Sequence, residues 1–280
     1  GGHMALLQIN IKSEIIQMEQ TLNVILPQVG LYEGEKQRQI KERGFQVLYL
    51  LHGLSDDHSV WLRHTSIERY AMEYGIAVVM PNAGRSFYVD MKYGPSYYTY
   101  ISYEIPHIIR TMLPISSARE DNFIAGLSMG GYGAFMIALR NPDQYEAAAS
   151  LSGTLDLTPG FSFQEEGYKK MAREIFGSKL EYIKSDYNLL RLVKKQSMSG
   201  ERLPRLYQSC GTDDFVYGVN QRLRAAALKY GLDLTYEERP GAYEWSYWDS
   251  NLRRVLTWML KREPQKGPML RFEPAGRAVN

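Results

Sequence analysis

The stretch NFIAGLSMGGYGAFMIAL, residues 122–139, constrains the fold more than any other part of this chain. Asn122 to Gly126 is a short apolar run of the kind a buried strand needs, and Met129 to Arg140 reads as a helix. Between them there is room only for a tight turn, and its residues are Gly126-Leu127-Ser128-Met129-Gly130. A bare G-x-S-x-G is common by chance, but a strand before it and a helix after it are the context in which it carries meaning. Side chains at the glycine positions would collide in so sharp a turn, while the central serine is held in a strained backbone conformation with its hydroxyl presented. A bend that merely reverses the chain asks for none of this, so Ser128 is a candidate nucleophile.

The same strand-then-helix order recurs along the chain. FQVLYLLHG, IAVVMPNA, YEAAASLSG, PRLYQSCG and DLTYEERPG are short apolar or β-branched runs ending near Gly, Ser, Asn or Pro. Helical patterns lie among them at 97–112, 129–140, 220–230 and 245–261. This alternation predicts a mostly parallel sheet covered on both faces. Ahead of it, LQINIKSEII and TLNVILP alternate as an antiparallel hairpin, and the charged YEGEKQRQIKERG reads as an exposed loop. Residues 154–199 hold two or three helices between strands that should be neighbours, and we expect a small insertion capping the sheet's carboxyl edge. At 280 residues and 44% apolar composition the chain can build one large core. We expect a single domain over 5–262, preceded by a cloning scar at 1–4 and followed by a polar tail at 263–280.

Thirty-three basic and 31 acidic residues are scattered without runs, which argues against a nucleic-acid partner. No apolar run approaches the roughly 18 residues of a membrane span. The lone Cys210 forms no internal disulfide and belongs to no zinc-like cluster, so a cytoplasmic setting fits, as does a chain that has lost a signal peptide. His52, His58 and His64 recur every six residues beside two aspartates, but that interval does not return to one helix face, and we assign no metal. Self-association is left open.

A serine that accepts acyl groups needs amide donors for the oxyanion. Met129, following Ser128 at a helix N-terminus, supplies one. Leu54, in the loop LLHGLSDD after an early strand, is the candidate for the second. An acid is offered by Asp213 or Asp214 at the end of a late strand. The base is missing: the histidines are His3, His52, His58, His64 and His107, and none follows Ser128.

VLYLLHGLSDDHSVWLRHTSIER, VVMPN, YYTYISYEIPHII, FIAGLSMGGYGAF, CGTDDFVY and EWSYW, in that order, resemble the esterase D-like group of α/β-hydrolases over about residues 5–262. Small bacterial tributyrin and acetyl esterases are nearest in pattern, with S-formylglutathione hydrolases and feruloyl esterases more distant. The resemblance implies an α/β-hydrolase fold and serine hydrolysis of short acyl esters, acetyl, butyryl or feruloyl-type, without a cofactor. It implies Ser128 as nucleophile, Asp214 as triad acid, and Leu54 and Met129 as oxyanion amides. His52, His58, Trp61 and Trp245 are pocket candidates. The family's base is the histidine of G-x-H-E-W-x-Y-W, and this chain reads Gly241-Ala242-Tyr243-Glu244-Trp245-Ser246-Tyr247-Trp248.

Tyr243 therefore stands at the histidine position. A phenol with an ordinary pKa near 10 is ionised in only about one molecule in a thousand at pH 7 and accepts a proton badly. Three accounts follow: a His→Tyr variant of an active esterase, a protein that kept the pocket and lost turnover, or an altered mechanism with a lowered phenol pKa or recruitment of His52 or His107. The rival functions are an esterase-like ligand-binding protein and an acyltransferase. Twenty-one tyrosines, many of them in YVDMKYGPSYYTYISYE, are mostly core and surface, with an aromatic pocket wall as the lesser reading.

Overall fold

The computed structural model describes residues 3–30, 33–162 and 166–264. Eight strands form one sheet in the order β1-β2-β4-β3-β5-β6-β7-β8. β1 (His3–Lys12) and β2 (Glu19–Gln28) make the antiparallel hairpin, and β2 is also antiparallel to β4 (Ala77–Met80). From β4 onward all pairings are parallel, through β3 (Val47–Leu51), β5 (Asn122–Leu127), β6 (Ala147–Leu151), β7 (Arg205–Gly211) and β8 (Leu234–Arg239).

The central strands are apolar throughout because both faces are covered. In β3 the whole run VLYLL is buried; Val47, Tyr49 and Leu51 join one core, and Leu48 and Leu50 join the other. On the first face lies α6 (Met129–Arg140). On the second lie α3 (Ile67–Tyr74), after the short α2 (Val60–His64), and α11 (Trp245–Leu260). The expected helix at 97–112 is α4 (Tyr97–Thr99), a π turn at Tyr100–Glu104 and α5 (Ile105–Met112) in unbroken succession. α10 (Tyr217–Lys229) begins one turn earlier than its apolar pattern suggests.

Two expectations are corrected. The charged segment taken for a loop contains α1 (Gly34–Arg43): its Glu, Lys, Gln and Arg are good helix formers, and Gly44 at φ 79° ends it. The first strand stops at Lys12 rather than running to Ile16, because the Ser13 hydroxyl accepts the Ile16 amide at 3.1 Å and closes a turn. That turn is clamped by Glu104, whose carboxylate accepts the Glu14 amide at 2.6 Å. β1 also takes in His3 and Met4, half of the segment read as a scar.

Within 154–199 a 3₁₀ helix at Thr158–Ser162 precedes α7 (Glu166–Phe176), α8 (Lys179–Lys184) and α9 (Leu189–Ser197). α9 buries Leu189, Leu192 and Val193 in the core shared with α6, and the Gln196 side chain donates to the Leu139 carbonyl at 2.6 Å. This second layer explains why α6 is buried on every side rather than amphipathic. At the sheet edge itself the segment contributes Thr154. Of the expected tail, residues beyond 264 lie outside the described part of the chain.

Candidate active site

The carboxyl ends of the parallel strands carry the candidate residues: Leu54 after β3, Ser128 after β5, Thr154 after β6, Asp214 after β7 and Tyr243 after β8. Ser128 has φ 54° and ψ −118°, a backbone conformation that costs about 1–3 kcal/mol and persists only when the surroundings impose it. They do so through its peptide groups. The Ser128 amide donates to the Leu151 carbonyl at 3.0 Å, and its carbonyl accepts the amides of Tyr132 at 3.1 Å and Thr154 at 3.2 Å. Its hydroxyl lies 3.5 Å from the Thr154 hydroxyl.

Glycine is required on either side of the serine by close approach. A Cβ on Gly126 would sit 2.4 Å from the Gly130 carbonyl, and one on Gly130 would sit 2.4 Å from the Leu51 carbonyl oxygen and 2.7 Å from that of His52. The same absence of side chains lets the β3–α2 loop lie against the start of α6. Met129 is the first residue of that helix, so its amide has no partner within the helix. Leu54 follows in the loop pressed against it. Gly53 is tied by donating its amide to the Asp56 carboxylate at 3.1 Å, and a Cβ there would lie 2.7 Å from that carboxylate and 3.7 Å from the Ser128 Cβ. Asp56 is thus a neighbour of the serine that sequence reasoning did not single out, although the run HGLSDD places it two residues beyond Leu54.

Asp214 is 5% exposed. One carboxylate oxygen, Oδ1, accepts the Val216 amide at 3.0 Å; the other, Oδ2, is buried with no hydrogen-bond partner among the described residues. The loops bearing Asp214 and Tyr243 are joined by the Asp213 amide, which donates to the Gly241 carbonyl at 3.0 Å. Tyr243 is half-buried, and the groups that act on its hydroxyl are Ser128, Asp56 and Asp214. Burial pushes the phenol pKa up, the carboxylates of Asp56 and Asp214 push it the same way, and the Ser128 contact opposes them in part. The direction is opposite to the lowered phenol pKa considered from sequence. At neutral pH the Tyr243 phenol therefore keeps its proton and accepts another badly.

Its ring is fixed by an edge-on contact to Trp248 at 4.7 Å and a tilted one to Phe215 at 4.8 Å. The Trp248 indole donates to the Ser152 hydroxyl at 2.9 Å, pinning the start of α11 and the loop before it. Phe215 is 79% exposed, an aromatic surface beside the site that the sequence reading missed. Of the tyrosine-rich stretch, Tyr88, Tyr98 and Tyr100 are buried in the core, while Tyr97 lines a cavity with Arg85, Met91 and Met171.

Neither His52 nor His107 supplies the absent base. His52 is 1% exposed, and its Nε2 accepts the Ala83 amide at 2.9 Å. Its proton is therefore on Nδ1, which donates to the Gly53 carbonyl at 2.7 Å. Both nitrogens are occupied, and burial pushes the imidazole pKa down. His107 is exposed on α5, away from the strand ends that carry Ser128. His58 is half-buried in the β3–α2 loop, and its carbonyl accepts the Asn23 side chain at 3.1 Å. His64 is exposed and stacks on Trp245 with centroids 4.7 Å apart.

Trp61, 1% exposed, donates to the Leu51 carbonyl at 3.1 Å and lies under the site as core. Half-buried Trp245 packs edge-on against both Trp61 and Trp248. Among the described residues no group of three or more His, Cys, Asp and Glu side chains could hold a metal, and no helix is long and apolar enough to cross a membrane.

The esterase family, described as "Putative esterase", matches residues 13–259. An acetyl esterase of Caldicellulosiruptor saccharolyticus is 31% identical over 264 residues, 92% of this chain and 99% of that protein. The structure of FphF, a fluorophosphonate-binding serine hydrolase of Staphylococcus aureus, is 34% identical with a TM-score of 0.84, covering 92% of this chain and 98% of that one. An S-formylglutathione hydrolase from Staphylococcus aureus, FrmB, is 35% identical with a TM-score of 0.81 over 92% of this chain and 99% of its own. With the eight-stranded sheet and the strained serine after β5, these likenesses place the chain in the esterase family of α/β-hydrolases, a family of carboxylic ester hydrolases.

Proposed function

We propose that this chain is a serine carboxylesterase for short-chain acyl esters, acetyl or butyryl, working through an acyl group on Ser128, and that Tyr243 leaves its turnover impaired. The observation that carries this reading is the buried, unpartnered Oδ2 of Asp214 beside position 243. A buried carboxylate oxygen without a donor is costly, and an imidazole at 243 would give it one. The nucleophile turn, the amides of Leu54 and Met129 and the carboxylate fit an acyl-transfer site whose proton acceptor has been exchanged for a donor. The acetyl esterase and S-formylglutathione hydrolase among the relatives support a small acyl group.

Ser128 would attack the acyl carbon while the two amides hold the oxyanion, and water would later release the acid. Each half-reaction needs a group that takes a proton and then returns it. Without one, the rate falls by about 10²–10⁴ for a lost general base and by as much as about 10⁶ for a coupled triad. The test is hydrolysis of p-nitrophenyl acetate by the chain, by Tyr243→His and by Ser128→Ala. Tyr243→His should exceed the unaltered chain in steady-state rate by at least about 100-fold. A steady-state rate for the unaltered chain thousands of times above Ser128→Ala would refute the impairment.

A further inference from the structure

We infer that Ser128 takes an acyl group from thioesters and aryl esters and keeps it, making the chain a single-turnover acyl acceptor; this rests on the serine-esterase reading above. The two half-reactions make unequal demands on the missing base. In acylation the Ser128 Oγ–acyl carbon bond forms and the C–S or C–O(aryl) bond breaks. The leaving group departs as thiolate or phenolate and takes up the serine proton, directly or through solvent, to become thiol or phenol. Thiols and phenols have ordinary pKa values of about 8.5 and 10, so they leave without prior protonation. Alkyl alcohols, about as weakly acidic as water with its pKa of about 15.7, would have to leave as strongly basic alkoxides and do not. The remaining help comes from the backbone amides of Leu54 and Met129, which act on the oxyanion whether or not a base is present.

Deacylation fails on two counts. The attacking water must lose a proton as it adds, and the group then expelled is the serine alkoxide, as poor a leaving group as any alkyl alcohol. The residue at the histidine position, Tyr243, is half-buried with its ring held between Trp248 and Phe215, and its neutral phenol takes up the water's proton badly. Of the two carboxylates near the site, Asp214 has its Oδ2 sealed from solvent, and Asp56 is engaged by the Gly53 amide at 3.1 Å. His52 is committed at both ring nitrogens. The geometry thus tolerates entry of an activated acyl group and obstructs its exit, and the substrate class that follows is thioesters and aryl esters rather than alkyl esters.

The experiment mixes the unaltered chain with excess p-nitrophenyl acetate, S-phenyl thioacetate or ethyl acetate and follows both leaving-group release and intact protein mass, with peptide mapping of the adduct. The first two reagents should release about one equivalent and then slow by at least about 100-fold, leaving one acetyl group on Ser128. Ethyl acetate should leave none. Ser128→Ala should show no adduct at this position, and Tyr243→His should turn over without accumulating one. Sustained release by the unaltered chain, or no adduct from either activated ester, overturns the proposal. The two readings separate cleanly. An adduct on the unaltered chain with no turnover by Tyr243→His would uphold capture while removing the esterase account of position 243. Turnover by Tyr243→His with no adduct on the unaltered chain would sink capture alone.

Discussion

Tyr88 donates its hydroxyl to the carbonyl of His52 at 2.8 Å, from a backbone position of φ 58° next to Phe87 at φ 52°. Two consecutive non-glycine residues in the left-handed region are costly, and here they clasp both halves of the candidate oxyanion site. The Phe87 amide meets the Met129 sulfur at 3.3 Å, and Tyr88 holds the loop that leads to Leu54. Tyr88→Phe removes one buried hydrogen bond and leaves a carbonyl short of a partner, so it should cost about 1–3 kcal/mol in urea unfolding. In a Tyr243→His background it should lower kcat more than it changes KM, because a misplaced amide is felt in the transition state. An unchanged kcat would detach Tyr88 from the oxyanion loop.

His52 makes stability depend on pH in a direction set by its burial. Its folded pKa lies below the ordinary value of about 6.5, despite the opposing pull of the Asp56 and Asp57 carboxylates. The unfolded chain therefore binds a proton first as the pH falls. The stability this group contributes is present above about pH 6.5 and drains below it, toward the folded pKa, by at most about 1.4 kcal/mol per pH unit. Urea midpoints at pH 7.5 and 5.5 should fall more for the unaltered chain than for His52→Gln. Equal falls would assign the acid sensitivity to other groups.

Gly130 and Gly218 make a matched pair of substitutions. Alanine at 130 drives a methyl group to within 2.4 Å of backbone oxygen in β3, where neither side can give, whereas a Cβ at 218 meets nothing within 4 Å. Gly130→Ala should exceed the usual overpacking cost of about 1–3 kcal/mol or prevent folding. Gly218→Ala, inside α10, should stabilise by about 0.5–1 kcal/mol. Soluble yield and urea unfolding decide both.

Sequence patterns were sufficient where structure is local. The turn at Ser128 is written in five consecutive residues, and each central strand announces itself as an apolar run because both its faces are buried. α1 was misread because charge alone does not separate a solvated helix from a loop, and its stop at Gly44 needs a φ of 79° that no pattern displays. In the site, the nearness of Asp56, Thr154 and Phe215 to Ser128 and Tyr243 is not legible in the sequence, because it is made by loops from different strands. The occupation of both His52 nitrogens likewise depends on Ala83, 31 residues away.

Asp214 and Tyr243 should prove non-additive. In the unaltered chain Oδ1 is held by the Val216 amide and Oδ2 has no donor, so the buried charge has little to stabilise it. Asp214→Asn should then be close to neutral in urea unfolding, within about 1 kcal/mol, and should barely alter a hydrolysis rate that already lacks a base. With Tyr243→His in place the carboxylate acquires an imidazole to orient, and the same Asp214→Asn change should cost on the order of 10⁴ in kcat by favouring the wrong tautomer. A cycle of the four proteins, read by p-nitrophenyl acetate hydrolysis, measures the coupling directly. If Asp214→Asn lowered kcat by the same factor in both backgrounds, the carboxylate would be serving the loop around Val216 rather than a base at 243.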